Sequence, residues 1–122
     1  MKRSPFKSKR PTVTAEERNT KKIVKARSGG ICEVCGRAEA VQMHHRRKAG
    51  RVWSPANVLH VCGLGNYSGC HGHIEQNPTA AKEQGWWLLP IHNPEDEPVF
   101  LAGRGRVFLL DDGSMTQQES AA

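Results

Sequence analysis

All four cysteines and five of the six histidines fall between Cys32 and Glu75, at spacings that suit two metal sites in one short unit. Cys32-Glu33-Val34-Cys35-Gly36 has the form of a knuckle: two thiolates separated by two residues can reach one tetrahedral centre, and Gly36 lets the backbone turn tightly beneath it. Cys62 and Cys70 can close the other side. Such a set of four thiolates leaves no open position for water and is the donor set of a structural zinc ion. Between the cysteine pairs lies His44-His45, and His71 follows Cys70 directly. Adjacent histidines on an extended strand point to opposite faces, so one is expected to hold a metal ion and the other to face water. On a helix, the residue one turn after His71 on the same face is Glu75, whereas His73 points elsewhere.

Two disulfides are the alternative use of four cysteines. Met1 to Pro11 is polar and basic throughout, with no apolar run resembling a signal peptide or membrane span. A cytoplasmic location is therefore expected, and in that reducing compartment zinc is favoured over disulfides. The 122 residues, 37% of them hydrophobic, suit one small domain with a modest core, which a metal staple would help. The net charge of +6 is unevenly spread. Residues 1–27 carry ten Lys/Arg against two Glu, and residues 76–122 carry three against seven acids. That asymmetry points to an anionic partner at the basic end.

The elements that must position these residues follow from local signals. Residues 1–13 mix Lys and Arg with prolines and read as a disordered basic arm, a nucleic-acid contact in preference to a mere solubilising tail. Thr14 and Glu17 have capping-box spacing, which predicts a helix from there to about Arg27, stopped by Gly29-Gly30. Ala40 to His44 reads as a short strand delivering the paired histidines. Residues 46–53 form a basic loop, and Asn57 to Val61 are a helical turn or second strand leading to Cys62. Helices are expected over His71–Gln76 and, after Asn77-Pro78, to Gln84. Trp86–Leu89, Val99–Leu101 and Val107–Leu110 read as strands, the last two joined as a C-terminal hairpin, and residues 115–122 as a flexible tail. Trp86 and Trp87 are expected to pack between elements rather than to stack on bases. His60 and His92 have no matching partners and read as surface or packing residues.

The order Cys32-x-x-Cys35, His44-His45, Asn57, Cys62, Cys70-His71 resembles the HNH endonucleases of the zinc-knuckle type, small enzymes common in bacteriophage and bacterial genomes. The resemblance implies an α+β fold with a ββα-metal (His-Me finger) core over about residues 31–77, inside a domain spanning 14–114. It also implies a structural zinc site of four cysteines, one catalytic divalent cation and DNA as substrate, cut by water attack to leave 5′-phosphate and 3′-hydroxyl ends. By the same resemblance His44 is a metal ligand, His45 the general base, and Asn57 the residue whose amide bonds across the loop to fix the histidine segment. Two departures stand out. Glu75 occupies a position where the family often has histidine, and as a hard carboxylate it suits magnesium or manganese, so the expected ligands are His44, His71 and Glu75, with His73 the alternative third. Seven residues separate Cys62 from Cys70, where two are commoner; Gly63, Gly65 and Gly69 would serve as hinges.

The residue types also suit phosphodiester hydrolysis without the family. A cation stabilises the charge that builds on phosphate and leaving oxygen, and a neutral imidazole activates water. Arg46, Arg47, Lys48 and Arg51 follow the histidines directly and are expected to contact DNA phosphates, with weak sequence preference. No membrane partner is expected. A double-strand cut by one catalytic set per chain needs a homodimer or two nicks, or a place in a larger phage DNA-processing complex. The reading from a different class is a non-catalytic zinc-stabilised module that binds nucleic acid.

Overall fold

Thr14 starts the first helix in the way its spacing with Glu17 predicts. In a computed structural model, which describes residues 12–65 and 67–118, α1 runs over Ala15–Ser28 with the Thr14 hydroxyl accepting from the Glu17 backbone N–H at 3.1 Å. The Glu17 carboxylate, rather than completing a capping box, pairs with Lys21 one turn on, at 2.7 Å. Gly29 ends the helix in the left-handed conformation, φ 65°. Most of the expected basic arm, residues 1–11, lies outside the described residues, as do residues 119–122 of the expected tail.

The chain then turns through the Cys32–Cys35 knuckle into an antiparallel hairpin. β1 (Gln42–His45) pairs with β2 (Val58–Val61), with His44 opposite Leu59 and Met43 opposite His60. Of the two conformations expected for Asn57 to Val61, the strand forms; all four of its residues are buried. α2 (Gly69–Gln76) and α3 (Pro78–Glu83) follow, the second opening on its proline. A second sheet, β3 (Val99–Leu101), β4 (Gly105–Leu109) and β5 (Met115–Gln117), is an antiparallel meander. The architecture is a small mixed α+β fold.

Two expectations about the last third change. Trp86–Leu89 forms no strand: its pairing stops at a single parallel bridge between Leu88 and Arg47, just past the end of β1. It is an irregular strap held by Leu88 N–H on Arg46 O (2.7 Å) and by the buried indole of Trp86, whose Nε1 donates to Phe100 O (2.7 Å). Trp86 thus packs between elements. Met115–Gln117 is no flexible tail: although polar, it gains a full register with β4, with Leu109 opposite Met115.

One core serves both sheets. Leu59, Val61 and Ile74 pack with Cys32, Trp86, Val99, Leu101, Val107 and Leu109, so the cysteine cluster is part of the hydrophobic interior. α1 is anchored by a buried fork. Arg27 grips Glu33 through Nε–Oε2 (2.7 Å) and Nη2–Oε1 (3.0 Å), and also donates to Pro55 O and Val58 O, while Glu33 accepts from His60 N–H. Every charge there has partners, which buried ion pairs require.

Candidate metal and active site

Three elements bring the cysteines together. Cys32 and Cys35 come from the knuckle, Cys62 from the end of β2, and Cys70 from the first turn of α2; their sulfurs all lie within 4.8 Å of one another. Cys35 and Cys62 Sγ are 4.0 Å apart, and a tetrahedral ion with bonds of about 2.3 Å sets its sulfurs about 3.8 Å apart. The seven-residue insert closes because Gly63 (φ 100°) and Gly69 (φ 62°) press backbone to backbone: a Cβ on Gly69 would stand 2.5 Å from Gly63 Cα, and one on Gly63 2.0 Å from Ser68 O. Burial pushes the Cys32 and Cys70 thiols up, and for Cys70 the neighbouring Cys32 adds to the rise. Burial also opposes ionisation of Cys35, but hydrogen bonds from the backbone of Ala38 and Arg37 and from the Cys32 and Cys70 side chains together outweigh it and hold that thiol down at about 6. Four thiolates in so small a volume need a cation to offset their charge, and this donor set can hold a metal ion such as zinc.

His44, His71 and Glu75 form a second group whose ligand atoms lie within 4.8 Å of one another. Glu75 Oε2 is 3.7 Å from His44 Nδ1 and 3.8 Å from His71 Nε2. The hydrogen bonds on the far side of each ring fix which nitrogen is free. His44 Nε2 lies 2.7 Å from the carbonyl of Trp86, an acceptor only, so Nε2 carries the proton and Nδ1 is bare. That Nδ1 is buried and has no hydrogen-bond partner among the described residues. His71 Nδ1 lies 2.7 Å from Gln42 Oε1, which also accepts the backbone N–H of Gly65 at 2.6 Å. A backbone N–H can only donate, so that Gln42 atom is the oxygen, His71 Nδ1 carries the proton, and Nε2 is bare toward Glu75. Partners of this kind behind metal-binding histidines orient the ring and set its tautomer. Burial lowers the pKa of both histidines, His44 to about 4, which keeps them in the neutral form that ligates. Two bare imidazole nitrogens and a carboxylate fit a divalent cation. His73 does not join them; its Nδ1 lies 3.3 Å from the Asn77 amide nitrogen.

His45 sits one residue along β1 on the other face, packed edge-on against Trp53 with ring centroids 4.5 Å apart. Burial, then the positive charges of Arg51 and Lys48, lower its pKa to about 4, so the ring is neutral near pH 7. Its Nε2 has no hydrogen-bond partner among the described residues. His44, His45 and His71 nevertheless line one cavity of about 430 Å³, together with Lys48, Arg51 and Trp53. Asn57 is fully buried and spans the intervening loop: Oδ1 accepts from Arg47 N–H (2.8 Å), and Nδ2 donates to Val52 O (3.0 Å) and Arg47 O (3.2 Å). These bonds fix the chain immediately after His45.

The basic loop divides. Lys48 lies against Glu75 Oε2 (2.5 Å) and over the Trp87 ring (4.9 Å), and Arg51 is exposed in the left-handed region, φ 44°. Arg47 donates from Nε to Pro90 O. Arg46 cannot meet DNA, contrary to the sequence expectation. It is wholly buried, and its guanidinium donates to the carbonyls of Gly85, Ala56, Pro94 and Glu97. Sequence inspection missed Gln42, whose role rests on Gly65 and His71 folding back onto it. Comparisons with protein-family models, curated proteins and solved structures gave no match, so the site is read from its own geometry. No described helix is long and apolar enough to cross a membrane.

Proposed function

We propose that the chain is a metal-dependent endonuclease that hydrolyses phosphodiester bonds of DNA, with β1, β2 and α2 as a ββα-metal core. The observation that carries the reading is the convergence of His44 Nδ1, His71 Nε2 and Glu75 Oε2, with both imidazole tautomers fixed from behind, beside an independent neutral imidazole in the same cavity. His44, His71 and Glu75 would hold magnesium or manganese, and Cys32, Cys35, Cys62 and Cys70 a structural zinc ion. When bound, the catalytic cation supplies Lewis-acid stabilisation of the phosphate and the leaving 3′ oxygen.

The protein's own groups do the rest. His45, neutral because it is buried, takes the proton from the attacking water. A phosphate entering the cavity brings negative charge beside the ring and draws its pKa back up toward neutrality, which improves the base as substrate binds. Asn57 holds the loop that follows, and Arg51 faces the phosphate through the cavity it lines, joined by Lys48 once Glu75 leaves it to ligate the cation. Resemblance to the small HNH enzymes of phages and bacteria agrees in the order of these residues.

Incubation of the purified chain with supercoiled plasmid tests the reading. Nicked or linear product is expected with added magnesium or manganese and none when free divalent ions are chelated; no product in either metal would leave a zinc-stabilised binding module. Because each chain carries one catalytic set, nicked circles should precede linear DNA unless two copies act together.

A further inference from the structure

β1 presents its side chains alternately to two helices. Gln42 and His44 face α2, where His71 and Glu75 stand. Met43 and His45 share the other face with their cross-strand partners His60 and Val58. α1 closes on that second face: Ser28 Oγ and His60 Nδ1 are 2.7 Å apart, and Arg27 donates to Val58 O. It does not seal it. Between α1 and the hairpin runs a trough of about 560 Å³, bordered by Lys21 and Lys25 on the helix and by Met43, Trp53 and His60 on the hairpin side.

This trough adjoins the cavity of the catalytic candidates, since Met43, Trp53 and His71 line both. Lys48 and Arg51 border the cavity end. At the other end Glu17, Lys21 and Lys25 stand four residues apart in turn, which places them in one stripe of α1. Glu17 offsets only Lys21, whose ammonium also lies 5.4 Å from the Trp53 ring centre; Lys25 has no carboxylate partner among the described residues. The trough therefore carries a net positive wall that the fold itself does not neutralise.

We infer that α1 is the second wall of a nucleic-acid cradle, with Lys21 and Lys25 binding backbone phosphates on one side of the cut while Lys48 and Arg51 bind them on the other. The position of the cut rests on the nuclease reading; the contact itself rests on the trough. Lysine ammonium groups act as point charges on phosphates and read no base edge, so the contribution is independent of sequence and dependent on salt.

Fluorescence anisotropy of a labelled mixed-sequence duplex tests this, using the full chain with His45→Ala so that the DNA stays intact. In that background Lys21→Gln/Lys25→Gln is compared with Lys22→Gln/Lys82→Gln, which removes the same charge from exposed positions outside the trough. The trough pair should weaken binding roughly tenfold near physiological salt and flatten the slope of log K against log salt by about 2. The control pair should change affinity less than about twofold. Equal effects of the two pairs, or no effect of the trough pair, would overturn the cradle. Plasmid cutting by wild type with equal effects of the pairs removes the cradle and leaves the nuclease. Failure to cut, with binding lost only in the trough pair, does the reverse.

Discussion

Gln42 shows how one side-chain oxygen can govern a candidate metal ligand. Its Oε1 accepts from Gly65 N–H and from His71 Nδ1–H, and so turns the lone pair of His71 Nε2 toward Glu75. Gly65 belongs to the loop between Cys62 and Cys70, so the segment that closes the thiolate cluster also helps to set the tautomer at the second site. Gln42→Leu keeps the bulk but offers no acceptor. It should weaken manganese binding by about 10–100-fold in titrations of the zinc-loaded protein and shift the His71 proton toward Nε2 in histidine nitrogen NMR. Gln42→Glu, which still accepts both hydrogen bonds, should retain binding. Unchanged affinity in Gln42→Leu would make the contact a packing detail.

At the scale of elements, the hairpin lies between α1 and α2 and hands one histidine to each side, and Arg46 then ties its end to the rest of the chain. The four carbonyls that Arg46 grips lie 10, 39, 48 and 51 residues away, just before β2, just before the strap and in the turn before β3. Burial lowers its pKa to about 9, which leaves it charged at neutral pH and bound to dipoles on every side. Arg46→Met should cost at least about 3 kcal/mol in denaturant unfolding, because several buried acceptors lose their donor at once. DNA affinity per folded molecule should be unchanged, in contrast to the trough lysines. This residue also marks the limit of what sequence makes legible. Cysteine spacing, the Thr14 cap and the i, i+4 relation of His71 to Glu75 are local and visible without a structure. Arg46 looks like its neighbours Arg47 and Lys48, and only distant carbonyls decide its burial. Trp86–Leu89 has a strand's composition but makes only a single bridge, Leu88 to Arg47, and Met115–Gln117 has a tail's composition but a partner in β4.

For the whole molecule, the cysteine cluster is at once a candidate metal site and part of the core. Cys32 and Cys62 pack with Leu59, Val61 and Ile74; α2 also carries His71 and Glu75, and β1, paired to β2, carries His44. Loss of a bound ion would leave mutually repelling thiolates or buried thiols in the middle of the domain. Chelation of zinc under reducing conditions should therefore abolish the cooperative thermal transition and red-shift tryptophan fluorescence, since Trp86 sits in the same core. A sharp transition that survived removal of the ion would show the cluster to be dispensable. The nuclease reading turns on one imidazole, and it is tested most directly by comparing wild type and His45→Ala in two assays on the same preparations: cleavage of supercoiled plasmid in manganese, and binding to duplex DNA. The substitution should lower cleavage by at least about a hundredfold while binding changes little, in line with the loss of a general base. Equal cleavage by the two proteins would contradict that role for His45.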